Sequence, residues 1–282
     1  MLRKSIYLCA VFISSFAAYA KQDILIYSGP GAGPLSLTNT VATITQAVGT
    51  KYNIKTVGPE IIIDKQWLKN TALLIMPGGA DRPYLEKLAG QGNANIRDYV
   101  ASGGKYLGIC AGAYYASDRL EFAKGDSELE VTGERELKFF PGLISGPTYV
   151  GYDHRDVTVH AGARAANLSW QLDQPFAKNT QLTVFYNGGG SFIDAEKYDN
   201  VLILARYLPE IAGDTQQPAA IVECNYGKGK AILSGPHFEW DPALLNTESA
   251  KFKAIKPQLI AGNADRIKLI KHLLARLDIS SP

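Results

Sequence analysis

The sequence predicts an α/β fold: a mostly parallel sheet with helices on both faces, continued by a β-rich second half. Three observations predict it. Short apolar runs alternate with helical segments through the first half of the chain, and strands that read as unbroken apolar runs are those covered on both faces. These runs stop abruptly in glycine or proline, as in SGPGAGP, MPGGAD and GICAG. Such turns place loops at the carboxyl ends of the strands, where sheets of this type build their sites. In the second half, apolar runs follow one another with few helical segments between them.

Each element follows in order. Ile24-Leu25-Ile26-Tyr27 reads as a buried strand, followed by a glycine-rich turn and a helix from about Leu35 to Val48. NIKTVG is a second strand, and ALLIMPGGAD a third that Pro77-Gly78-Gly79 ends. A helix from about Asn93 to Ser102 carries Ile96, Tyr99 and Val100 at helical spacing; Gly103-Gly104 then turns the chain into KYLGIC. The second half offers LEVTG, DVTVHAG, LTVFYNGGGSF, VLILARY, AAIVEC and KAILSG as strands. The turn NYGKGK pairs the last two as a hairpin. NADRIKLIKHLLARL is an amphipathic helix with Asn263 as N-cap and Ile267, Ile270, Leu274 and Leu277 on one face. No repeat, linker or change of composition divides the chain, so residues 21–282 are expected to form a single domain.

The first twenty residues stand apart. Arg3 and Lys4 precede an apolar stretch from Ile6 to Phe16, and Ala18-Tyr19-Ala20 has the small-x-small form of a cleavage site. This is the pattern of a signal peptide and predicts an exported, periplasmic or secreted protein, with no membrane contact after cleavage. Cleavage would remove two basic residues and leave 27 basic against 27 acidic side chains. That balance argues against a nucleic-acid partner. Cys110 and Cys224 would be the remaining cysteines, and in an oxidising compartment one reading pairs them as a disulfide.

The other reading makes Cys110 a nucleophile. Gly108-Ile109-Cys110-Ala111-Gly112 has the G-x-nucleophile-x-G form of an elbow between strand and helix. Glycine flanks such a bend because the nucleophile's backbone is strained and side chains beside it would collide. The thiol then projects at a helix N-terminus, where N–H groups favour a thiolate. The competing reading is a small buried hydrophobe. A nucleophilic thiol needs a base, and the base an orienting group. Of the four histidines, His272 sits in the C-terminal helix on its expected solvated side, and His154 and His160 flank the DVTV run. His237 leaves the end of the KAILSG strand with Glu239 two residues on, so a carboxylate can hold one ring nitrogen while the other faces the sulfur. Oxyanion donors are expected at the N–H of Ala111 and in the turn at Gly78 and Gly79. Tyr114, Tyr186 and Asn187 are candidates for lining the substrate pocket, together with Tyr149; core packing is the alternative for the tyrosines. GPGAGP lacks the third glycine of a dinucleotide loop, so no cofactor is expected, although its N–H groups could line a carboxylate site. No metal-ligand spacing is present. Asp118 and Arg119 read as a charge pair at a helix end.

Cys110 in an elbow with a distant His237-Phe238-Glu239 resembles the Cys-His-Glu triad of class I glutamine amidotransferases. More closely, the chain resembles the amidotransferase-like N-terminal domain of eukaryotic biotin protein ligase. The resemblance runs through YSGPGAGP, MPGGADRPY, GICAGAYYAS, LEFAKGDSELEVTGERELKFFPG, GPTYVGY, AGARA, FYNGGGSF and GKAILSGPHFE. It implies a flavodoxin-like fold, with Cys110 as nucleophile, His237 as base and Glu239 as orienter. A Gly-Arg-Gly-Arg loop is missing and the chain ends soon after the matched region, so biotin ligation is not expected. The function expected is hydrolysis of an amide or related acyl bond in a small molecule or peptide through a cysteine thioester. The alternative is a binding or scaffolding module that keeps the fold without turnover.

Overall fold

The computed structural model describes residues 21–153, 160–209 and 216–281. The first half runs β1 (Asp23–Tyr27), α1 (Pro34–Val48), β2 (Asn53–Val57), α2 (Pro59–Ile63), β3 (Thr71–Met76), α3 (Asp81–Leu88), α4 (Gln91–Ala101), β4 (Lys105–Ile109) and α5 (Ala111–Tyr115). The second runs β5 (Ser117–Phe122), β6 (Val131–Glu134), β7 (Phe140–Gly146), β8 (Arg164–Trp170), β9 (Gln181–Tyr186), β10 (Ser191–Phe192), β11 (Val201–Tyr207), β12 (Ala219–Tyr226) and β13 (Gly229–Ser234). Two helices close the chain, α6 (Ala250–Ala261) and α7 (Asn263–Arg276).

The central strands lie in the order β2-β1-β3-β4-β13, all parallel. Counted in chain order this is 2-1-3-4-5, the flavodoxin-like arrangement, whose crevice opens where the order reverses. From β13 the sheet continues antiparallel through β12, with β10 and β7 leading to β5 and β6, and β11, β8 and β9 forming a branch. Successive side chains of a strand point to opposite faces, and β1 shows both faces covered. Ile24 and Ile26 join a cluster with Ile44 and Val48 of α1 and Leu269, Ile270 and Leu273 of α7. Leu25 and Tyr27 join the opposite cluster, with Ile62, Tyr84, Leu88 and Ile96 of the helices on the other side. The α/β fold with helices on both faces is therefore the structure of this chain.

The hairpin of β12 and β13 forms as expected, from Ile221 opposite Ser234 to Tyr226 opposite Gly229. Three strands escape the pattern of apolar runs: β5, β7 and β8. In β8 the sequence RAANLSW puts polar Asn167 on an exposed face, where it accepts a hydrogen bond from Thr183 Oγ1 of β9 at 2.8 Å. Asp118 and Arg119 lie in β5 rather than at a helix end, and Asp118 makes its shorter ion pair with Lys138, 2.8 Å against 3.9 Å to Arg119. Gly262, not Asn263, caps α7; the Asn263 side chain instead accepts from Arg266 Nε at 2.7 Å. Most of the expected DVTVHAG strand, and His154 beside it, lie outside the described residues. His272 is half-buried against the Trp170 ring rather than solvated. Among the described residues no helix is long and apolar enough to cross a membrane.

Candidate active site

Four strand ends of the parallel half converge on one cavity of about 480 Å³. The turn after β1 reaches it at Gly33, the turn after β3 at Gly78 and Gly79, the end of β4 at Cys110, and the segment after β13 at His237. The elbow forms at Cys110, whose φ of 49° and ψ of −105° are outside the ordinary regions for a side chain-bearing residue. Its N–H donates to Ser234 O of β13 at 2.8 Å, so a neighbouring strand braces the bend. The flanking glycines are required by backbone rather than by side chains. A Cβ on Gly108 would overlap Gly112 O, and one on Gly112 would overlap Met76 O of β3.

His237 is held from two directions. Its N–H donates to Phe185 O at the end of β9 at 2.8 Å, and its ring Nδ1 meets Glu239 Oε1 at 2.8 Å. With Nδ1 engaged, Nε2 is the nitrogen left for the sulfur. His237 and Glu239 are 5% and 0% exposed, and Cys110 7%. Burial alone would lower the imidazole's proton affinity. The Glu239 carboxylate, together with Coulombic and hydrogen-bond contact with Cys110, outweighs it and holds His237 well above its ordinary value near 6.5. Cys110 Sγ itself donates weakly to Asn187 O at 3.8 Å. The helix that begins at Ala111 is only five residues long. Its dipole is correspondingly small.

Glu239 Oε1 has a second partner, Ser36 Oγ in the first turn of α1, at 2.8 Å. The same hydroxyl accepts from Gly78 N–H at 2.8 Å. The other oxygen, Oε2, is buried with no hydrogen-bond partner among the described residues. Arg266 of α7 is buried nearby and donates to Phe238 O at 3.1 Å; burial lowers its proton affinity, while the charges of Asp241 and Glu239 oppose that loss. Gly78 must be glycine, because a Cβ there would overlap His237 Cε1.

The Gly79 and Ala111 N–H groups make no hydrogen bond to any described residue, and both residues line the cavity. Tyr114 and Asn187 line it too. Tyr114 donates to Gly188 O at 3.1 Å, and burial keeps its phenol protonated far above the ordinary range. Tyr186 does not reach the cavity. It is fully buried behind the wall, donating to Gly189 O at 2.8 Å and packing edge-on against Tyr149 and Tyr207. Core packing is the role of both Tyr186 and Tyr149. The N–H groups of Ala32 and Gly33 in GPGAGP are spent on Gly29 O and Gly78 O, so neither is left for a carboxylate: the first closes the β1 turn on itself and the second clasps it to the β3 turn.

Sequence reasoning missed Ser36, Tyr152, Phe185 and Trp240. Tyr152 lines the cavity, and burial followed by the charge of Cys110 pushes its phenol up to about 12. Phe185 and Trp240 stack face to face, with ring centroids 3.9 Å apart, and form an aromatic wall beside His237. The available signal was the position of Trp240 one residue after Glu239; nothing local marks Ser36. Cys110 and Cys224 are both free, so the disulfide reading is overturned.

The strand order and the elbow with its His-x-Glu segment define an amidotransferase-like α/β protein. The chain belongs to the family described as Biotin-protein ligase, N terminal, which matches residues 22–282. It is 38% identical over 221 residues to a biotin--protein ligase of Schizosaccharomyces pombe, covering 78% of this chain and 33% of the ligase. The chain thus spans about a third of that relative's length. A protein of Chlamydia muridarum described as uncharacterized is 36% identical over 262 residues, 91% of this chain and 96% of that protein. Among solved structures, one described as a "putative gmp synthase subunit a protein" of Thermoplasma acidophilum matches with a TM-score of 0.46 at 13% identity, covering 88% of this chain and 98% of that one.

Proposed function

We propose that the protein is an exported cysteine hydrolase that cleaves an amide or related acyl bond through a thioester on Cys110. The observation that carries this reading is the buried pairing of Glu239 Oε1 with His237 Nδ1 at 2.8 Å, on the wall of the same cavity that Cys110 lines from its positive-φ bend. In this reading the Cys110 thiolate attacks the carbonyl carbon, and the oxygen that takes up charge meets the free N–H groups of Gly79 and Ala111. His237 gives its proton to the departing amine, later takes one from water, and Glu239 keeps the ring oriented throughout. Tyr114, Asn187 and the Phe185–Trp240 wall form the surroundings of the acyl group. The cavity has room for a small molecule or a short peptide segment.

Mild treatment with iodoacetamide tests the activation at neutral pH. The native Cys110 is expected to alkylate faster than the same thiol in denatured protein; an equal or slower rate rejects the proposal. A panel of amides, glutamine included, then identifies the leaving group. Loss of turnover in Cys110→Ser with the fold intact is the expected result.

A further inference from the structure

Ser36 occupies a place in the site that neither the elbow nor the His-x-Glu segment accounts for. It lies in the first turn of α1, 4% exposed, more than two hundred residues from the carboxylate it touches. Its hydroxyl donates to Glu239 Oε1 and accepts from Gly78 N–H, both at 2.8 Å. Glu239 Oε1 is the oxygen that holds His237 Nδ1, and Gly78 precedes Gly79, which lines the cavity and whose N–H has no hydrogen-bond partner among the described residues. One hydroxyl therefore ties the orienting carboxylate to the turn that carries an oxyanion donor. The tie is consequential because Glu239 Oε2 has no hydrogen-bond partner among the described residues. Without Ser36, the carboxylate would keep His237 as its one hydrogen-bonded side chain.

We propose that Ser36 is a positioning residue that locks the base and the oxyanion turn into one geometry, an inference that rests on the hydrolase reading above. It acts through Glu239 and Gly78 and does not touch the reacting atoms. The removal of its hydroxyl should impair every step that needs an aimed imidazole or an aimed Gly79 N–H. Steps that need only a thiolate should be spared.

p-Nitrophenyl acetate and iodoacetamide separate these steps. Alkylation forms an S–C bond and expels iodide without developing an oxyanion. Acylation forms the S–C bond, places negative charge on the carbonyl oxygen and then breaks the C–O bond to release p-nitrophenolate. Deacylation requires His237 to take a proton from water as the hydroxyl adds; the C–S bond then breaks, acetate leaves and the sulfur regains its proton. In Ser36→Ala, acylation and deacylation are each expected to slow by roughly tenfold, the effect of losing one hydrogen bond to a charged group. Alkylation at a pH where the wild-type thiol is ionised should change less than about twofold. Ser36→Thr should restore both acyl steps, and Ser36→Val, which matches threonine in shape, should not. If Ser36→Ala does not fold, the threonine and valine pair carries the comparison alone.

Equal slowing of all three reactions, or valine performing as well as threonine, overturns the positioning role while leaving an activated wild-type thiol intact. A wild-type protein that alkylates no faster than its denatured form instead overturns the hydrolase reading itself, and the role of Ser36 falls with it.

Discussion

The two described cysteines, one just past the end of a strand and one inside a strand of the same sheet, differ in almost everything that decides thiol chemistry. Cys110 stands at a positive-φ bend past the end of β4, with its sulfur on a cavity wall beside an imidazole. Cys224 lies within β12, paired to Ala231 of β13 on one side and Val201 of β11 on the other, and is fully buried. Burial, with a smaller contribution from Glu223, pushes the Cys224 thiol far above its usual range. Depth alone does not separate them, since Cys110 is itself only 7% exposed. The difference lies in backbone conformation and in the neighbour: a strand interior makes a thiol inert packing, whereas a pinched turn beside an imidazole can make it a nucleophile.

The sharpest way to break that contrast is competitive alkylation of the native protein, read by peptide mass spectrometry. Cys224 can react only when its strand opens, so Cys110 should label faster by on the order of a thousandfold. Comparable rates would mean that the elbow confers nothing. The next largest effect concerns the bend itself. Gly112→Ala would drive a methyl group into Met76 O, and overpacking of this kind should cost about 3 kcal/mol in denaturant unfolding. Substitution at a glycine without such a contact, such as Gly125→Ala, should cost less, through its positive φ alone.

A third prediction concerns the charge that distinguishes the two thiols. His237 has a folded-state proton affinity raised above its unfolded value near 6.5. Its contribution to stability is therefore complete below about pH 6.5 and is lost as pH rises through the higher folded value. Glu239→Gln removes the principal cause of the raise. The stability gap between wild type and variant, from urea unfolding at several pH values, should narrow as pH rises from 6 upward. A gap that widens with pH would reverse the assignment. The smallest effect belongs to Cys224→Ala, expected to cost about 1 kcal/mol of core packing. The same variant should leave the alkylation rate of Cys110 unchanged.

The same contrast explains what could be read from the sequence. The parallel half was legible because its strands are buried on both faces and end in Gly or Pro. ALLIMPGG and KYLGICAG carry strand, turn and site together. Cys110, His237 and Glu239 were legible for a related reason: two short local motifs follow adjacent parallel strands, so sequence spacing translates directly into proximity. The antiparallel half was less so. Polar residues interrupt β5 and β8, where one face is solvated, and Tyr186 gives the same sequence signal whether it lines a pocket or packs behind one. Ser36 was invisible because its partners, Gly78 and Glu239, are remote in the chain, and a serine in the first turn of a helix has an ordinary local explanation.

The way His237 reaches the sulfur has a practical consequence. Ser234 O of β13 receives the Cys110 N–H, and three residues later the same segment delivers the imidazole. The register that sets Ser234 beside Ile109 therefore helps to fix the spacing of Cys110 and His237. The outer walls near Leu120, Phe122 and Val131 belong to other strands. Substitutions there can reshape the cavity without touching the strands that carry Cys110 and His237, which marks β5 and β6 as the ground for redesign.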